Sequence, residues 1–172
     1  MEKNYFLIII IFCICMVNLY VIADNSDIVG SASADFRGVT FSLPRNFELT
    51  NTNVKYIEIH NPNFGNIAIS YTNLDKLDPK DNYNRQLDII NKTENQSILS
   101  NGTIDVNNHM VYVVYYNQVK DNGVNNLSNF FFAKDNLSFN VAMGSFDYNT
   151  QKNETIENLV IVLNSLRPNY KI

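Results

Sequence analysis

The stretch that most constrains the fold is Met110-Val111-Tyr112-Val113-Val114-Tyr115-Tyr116, which is rich in β-branched and aromatic residues and apolar at even and odd positions alike. Successive side chains of a strand point to opposite faces, so a strand with this run has no face to give to water and is expected to be central, covered above and below. The chain offers two helical patterns as covers. In the first, Asp78-Pro79 sets an N-cap before a proline at the first helical position, and Asp81 adds a negative charge in the first turn. Tyr83, Leu87 and Ile90 then form one apolar stripe, and the helix is expected to end at about Lys92. The second runs from about Gln151 to Leu166, where Ile156, Leu159, Val160, Leu163 and Leu166 recur at helical spacing and Pro168 stops it.

Strand signals fill the rest. Val39 to Leu43 alternates and is closed by Pro44, which cannot donate to a ladder; Phe47 and Leu49 are expected to fold back onto the same core. In Lys55 to His60, Ile57 and Ile59 share one face while Glu58 and His60 share the other, and Ile57 is expected on an edge strand. The turn residues of Asn61-Pro62-Asn63-Phe64-Gly65-Asn66 reverse the chain into Ile67, Ile69 and Tyr71. Further on, Asn107-Asn108 joins Thr103–Val106 to Met110–Val119 as a two-residue turn, and Asp121-Asn122-Gly123 leads into Leu127–Ala133. After Asp135-Asn136, Leu137, Phe139, Val141 and Met143 alternate with Ser138, Asn140, Ala142 and Gly144. The expected fold is α+β, an antiparallel sheet of six to seven strands sandwiched by helices over residues 36–172.

Three segments carry a family resemblance: Gly38-Val39-Thr40-Phe41-Ser42-Leu43-Pro44-Arg45-Asn46-Phe47, Ile104-Asp105-Val106-Asn107-Asn108-His109-Met110-Val111-Tyr112 and Val160-Ile161-Val162-Leu163-Asn164-Ser165-Leu166-Arg167-Pro168. On these the chain resembles the PsbP-like family, in which an antiparallel sheet lies between helices. It departs from the family pattern at Phe47, where Trp is usual, and at Asn108, where Gly is usual. The family includes an extrinsic subunit of the photosynthetic oxygen-evolving complex, a Ran-binding nuclear import factor and many envelope proteins. The resemblance therefore implies a binding or accessory protein rather than a reaction.

Compartment is read from the start of the chain. Tyr5 to Ala23 is apolar apart from Asn18, with Lys3 ahead of it and Asp24 behind. Its 19 residues would reach about 28 Å as a helix, roughly the thickness of a bilayer's hydrocarbon core. Residues 1–23 are thus a membrane anchor or a cleaved signal peptide, Val21-Ile22-Ala23 resembling a cleavage site, and both readings stay open. Either way, the charge of Lys3 keeps the N-terminus inside and sends the remainder out of the cytoplasm. Residues 24–35, rich in Ser, Asp, Ala and Gly, read as a linker. Cys13 and Cys15 are the only cysteines and both lie in the apolar run. The exported part can hold neither a disulfide nor a cysteine-ligated metal and must be stabilised by core packing.

A net charge of −4 without any Lys/Arg cluster excludes the footprint of a nucleic-acid binder. No nucleophile elbow, phosphate-binding glycine loop or His-Glu-x-x-His is present, so no catalytic, cofactor-binding or metal residue is assigned. His60 and His109 are both expected near turns, and an acid/base pair or metal site would need them to converge. Asp75, Asp78, Asp81 and Asn82 invite a calcium reading, but glycine and glutamate are missing from the required loop positions, and capping accounts for Asp78 and Asp81. Phe130-Phe131-Phe132 with Tyr112, Tyr115 and Tyr116 could line a groove; core packing is the default. Six Asn-x-Ser/Thr sequons, at Asn91, Asn95, Asn101, Asn126, Asn136 and Asn153, are candidate glycosylation sites. The reading is a non-enzymatic, extracytoplasmic binding or accessory domain whose partner is an envelope protein or other ligand. An envelope enzyme and a passive surface protein are the alternatives.

Overall fold

The computed structural model describes residues 31–36, 39–52, 56–121 and 123–168. The apolar segment 5–23, its two cysteines and the start of the linker lie outside the described residues. None of the described helices is long and apolar enough to cross a membrane.

The chain opens with strands β1 (Ser31–Phe36), β2 (Val39–Ser42), β3 (Glu48–Thr52), β4 (Ile57–Asn61) and β5 (Gly65–Asn73). Helix α1 (Pro79–Lys92) follows, then β6 (Gln96–Val106), β7 (His109–Lys120), β8 (Gly123–Lys134) and β9 (Leu137–Phe146). Helix α2 (Tyr148–Ser165) and the short β10 (Arg167–Pro168) close it. Seven strands form one antiparallel sheet in the order β3-β4-β5-β9-β8-β7-β6, and β1-β2-β10 make a small second sheet. This is the expected α+β sandwich. β1 departs from expectation, because Ser31–Asp35 reads as linker: its antiparallel ladder to β2 is made by backbone groups and needs no apolar alternation.

The two faces of the large sheet have separate cores. On one, Val113, Tyr115, Phe130, Phe132, Phe139, Val141 and Met143 pack with Leu159, Val162 and Leu163 of α2 and with Val39 and Phe41 of the small sheet. On the other, Val114, Tyr116 and Phe131 pack against Ile90, with Tyr83 and Leu87 of α1 partly buried beside them. β7 is covered on both faces, as its sequence requires, although β9 and not β7 holds the central place in the order. Ile57 is not at an edge. β3 lies outside β4, so Ile57 is interior and 1% exposed. The expectation failed because Glu48–Thr52 lacks an apolar row, and its outward Leu49 stays 44% exposed while Phe47 is buried.

Asn107 and Asn108 both adopt positive φ (52° and 64°), giving β6 and β7 the turn twist that a two-residue hairpin demands. Phe64, inside the β4–β5 turn, folds into the core and stacks on Phe146 with centroids 5.9 Å apart. Asp78 caps α1 through Lys80 N at 2.8 Å, and Asp147 caps α2 through Asn149 N at 3.0 Å. α2 has no basic residue in its last turn; Lys134 of β8 supplies the missing cation from outside.

Candidate functional site

Helix α1 crosses β6, β7 and β8 and reaches β9, so on its face β4 and β5, with the far side of β9, lack a helical cover among the described residues. Strand alternation decides what that half presents. Because Ile57, Ile59, Ile67, Ile69, Phe139, Val141 and Met143 all enter the α2-side core, their neighbours must point the other way. Register then arranges these neighbours in rows across the strands. His60, Asn66 and Gly144 form one row; Glu58, Ala68, Ala142 and Asn129 form the next; Ser70 and Asn140, then Thr72 and Ser138, complete the surface.

These rows leave a low strip of small residues, Ala68, Ala142 and Gly144, between larger polar ones and beside the strands that α1 covers; this strip is termed the trough. His60 Nδ1 donates to Asn66 Oδ1 at 2.5 Å, and Ser70 Oγ approaches the Asn140 carbonyl at 3.5 Å. Asn140 Oδ1 and Ser138 Oγ are buried there with no hydrogen-bond partner among the described residues. Buried polar atoms of this kind ordinarily have partners, so they mark where a donor is wanted. A Cβ on residue 144 would stand 2.9 Å from Leu127 Cδ2, so glycine keeps the trough floor low where β8 bulges beside it. The sequence hid this site, because its residues are those that a half-buried strand would give to solvent; only the missing cover makes them noteworthy.

The structure does not bring the two histidines together. His60 is on β4 and His109 begins β7, four strand spacings and about 19 Å away across the sheet. His109 shares the α2-side parity of Val111, whereas His60 faces the trough. Among the described residues no group of three or more His, Cys, Asp or Glu is placed to hold a metal. Phe130, Phe131 and Phe132 are wholly buried, and Tyr115 and Tyr116 nearly so, which makes them core and not groove. Burial raises the hydroxyl pKa of Tyr83, Tyr115 and Tyr116, and Tyr148 beside Tyr115 raises it further.

The sequons are scattered. Asn91, Asn95, Asn101, Asn136 and Asn153 are exposed, and Asn126 is half-buried at the β8 bulge. Asn95 Nδ2 is already engaged with the Val119 carbonyl at 3.0 Å, whereas Asn101 Oδ1 accepts from the Tyr83 hydroxyl at 3.0 Å.

No protein-family model matches the sequence, and no curated protein matches it. Solved structures do match. The PsbP protein CyanoP of Synechocystis superposes with a TM-score of 0.55 at 12% identity, covering 81% of this chain and 91% of that one. The Ran-binding protein Mog1p of Saccharomyces cerevisiae gives 0.53 at 10%, covering 81% and 94%. A Bacteroides thetaiotaomicron protein gives 0.57 at 11%, covering 82% of this chain and 48% of its own. At such identity the likeness is one of architecture alone: the seven-stranded antiparallel sheet with its two helices is a fold that this chain shares with CyanoP and Mog1p.

Proposed function

We propose that this chain is an extracytoplasmic, non-enzymatic binding domain of the cell envelope that holds a polar segment of a partner protein in the trough beside α1. The observation that carries this reading is the pair of buried polar atoms with no hydrogen-bond partner among the described residues, Asn140 Oδ1 and Ser138 Oγ, on β9, where the cover of α1 ends and β5 begins. A backbone N–H or side-chain donor from a partner that displaces the groups now covering them would satisfy them, and an apolar or lipid ligand would not. The flanking Glu58, His60, Asn66 and Ser70 are likewise polar, and the small residues between them leave room for a chain to lie close to the sheet. The apolar segment 5–23 supports placement outside the cytoplasm.

The test is co-purification from native membranes with the full chain and with Ala142→Arg, which fills the trough without touching either core. A specific partner recovered with the parent chain and lost with the variant is the expected result. Equal recovery from both would overturn the assignment of the trough. The absence of any specific partner would favour a passive surface protein.

A further inference from the structure

β6 is the terminal strand of the large sheet and runs for eleven residues with a single charge, Asp105, and no proline. Sheet edges are commonly guarded by Lys, Pro, bulges or short length. β3, the opposite edge, has such guards: it is five residues long, bulged between Leu49 and Asn51, and carries Glu48. β6 has one bulge, at Leu99, and from Ser100 to Val106 its pairing to β7 is regular. Its outer side carries no strand among the described residues.

We infer that this edge pairs with the same edge of a second copy, antiparallel about a two-fold axis at Thr103. The edge is self-complementary in this register. With Thr103 opposite Thr103, the axis places Asn101 opposite the partner copy's Asp105, and Gly102 opposite its Ile104, each contact occurring twice. Asn101 Oδ1 is held by the Tyr83 hydroxyl, so its Nδ2 hydrogens remain to donate to a carboxylate; Asp105 uses Oδ1 for Asn108 N at 3.2 Å, which leaves Oδ2 to accept. The position a Cβ would take on Gly102 has nothing within 4 Å, so the half-buried Ile104 of the other copy meets open space. No like charges face each other in this register, and Thr–Thr and amide–carboxylate pairs are favourable cross-strand neighbours. A partner of different sequence would not reproduce these matched pairs, and the guarded β3 edge stops the assembly at two copies.

Such a contact is small, so the dimer depends on concentration. The same segment, Asn101-Gly102-Thr103, is a sequon, and a glycan on Asn101 would occupy the interface; the chain is therefore tested in a host that does not glycosylate. Sedimentation velocity of the full chain in mild detergent is compared for the parent, Asn101→Asp and Asn101→Asp/Asp105→Asn. The single change sets carboxylate against carboxylate twice and should raise the dissociation constant at least about fivefold. The double change restores an amide–carboxylate pair with roles exchanged and should recover the parent value. A monomer at all concentrations, equal association of parent and single variant, or failure of the double variant to recover would each overturn the inference. Far-UV circular dichroism of each variant verifies that folding is intact.

Discussion

The Lys134 ammonium, near the end of β8, donates to the Leu163 carbonyl in the last turn of α2 at 2.6 Å. Helix and sheet are thereby tied at a helix C-terminus whose last turn has no cation of its own, with Arg167 donating to the Asn164 and Leu166 carbonyls beside it. Replacing Lys134 by Met keeps the apolar stem and deletes the donor. A loss of about 1.5 to 2 kcal/mol in denaturant unfolding is expected, in the range of hydrogen bonds to charged groups, while Lys134→Arg should lose less.

Ile57 and Val113 belong to the same buried cluster, at 1% and 5% exposure, and lie in the second strand from either edge. Truncating each to Ala should therefore destabilise the domain substantially, with Ile57→Ala at about 2 to 5 kcal/mol costing at least as much as Val113→Ala. Urea midpoints measure this directly, and a neutral Ile57→Ala would contradict its place inside the sheet.

Tyr83, Tyr115 and Tyr116 give an alkaline signature. Burial raises their pKa in the folded chain, whereas in the unfolded chain the phenols ionise at about 10. Their contribution to stability is therefore fully present below pH of about 10 and falls as pH rises toward the folded values, because only the unfolded chain releases these protons early. Phenolate absorbance followed against pH should show a group of tyrosines that ionise together with unfolding. Tyr115→Phe should shift alkaline unfolding to higher pH, since the Tyr115 hydroxyl is also buried without a partner.

Asn108 sits at the second position of the β6–β7 turn with φ 64°, and its backbone N–H donates to Asp105 Oδ1. Glycine reaches this conformation without a Cβ penalty. Asn108→Gly should raise stability slightly, since relief of the left-handed backbone in an Asn-Gly turn is opposed by the greater freedom of glycine in the unfolded chain, measured as a higher melting temperature with an unchanged oligomeric state.

The parts legible in the sequence are those that local chemistry writes. Asp78-Pro79 marks the start of α1, Asn107-Asn108 marks a hairpin, and the two-faced run around Val113 demands two covers. What was hidden depends on the order in which strands meet. Nothing near Ile57 announces that β3 will flank it, and nothing near Phe64 distinguishes a core aromatic from a solvated turn residue. The trough was hidden for the same reason: Ala68, Ser70, Asn140 and Ala142 read as the wet side of ordinary strands until β5 and β9 are joined and the cover of α1 is seen to end at β9.

The β5–β9 junction also bears on how the chain reaches its native state. Every other adjacent pair in the large sheet is a hairpin between consecutive strands, whereas Ser70 meets Asn140 across a separation of 70 residues. Closing that loop costs about 2 kcal/mol more in chain entropy than closing one of about ten residues. Two meanders, β3-β4-β5 and β6-β7-β8-β9, can thus assemble from local contacts, and their docking along this one seam is the step expected to limit folding, to be measured as refolding rates of seam variants. Substitutions at Ala68 or Ala142, which face each other across the seam, would slow refolding, whereas substitutions in the β6–β7 turn would speed or slow the assembly of one meander alone.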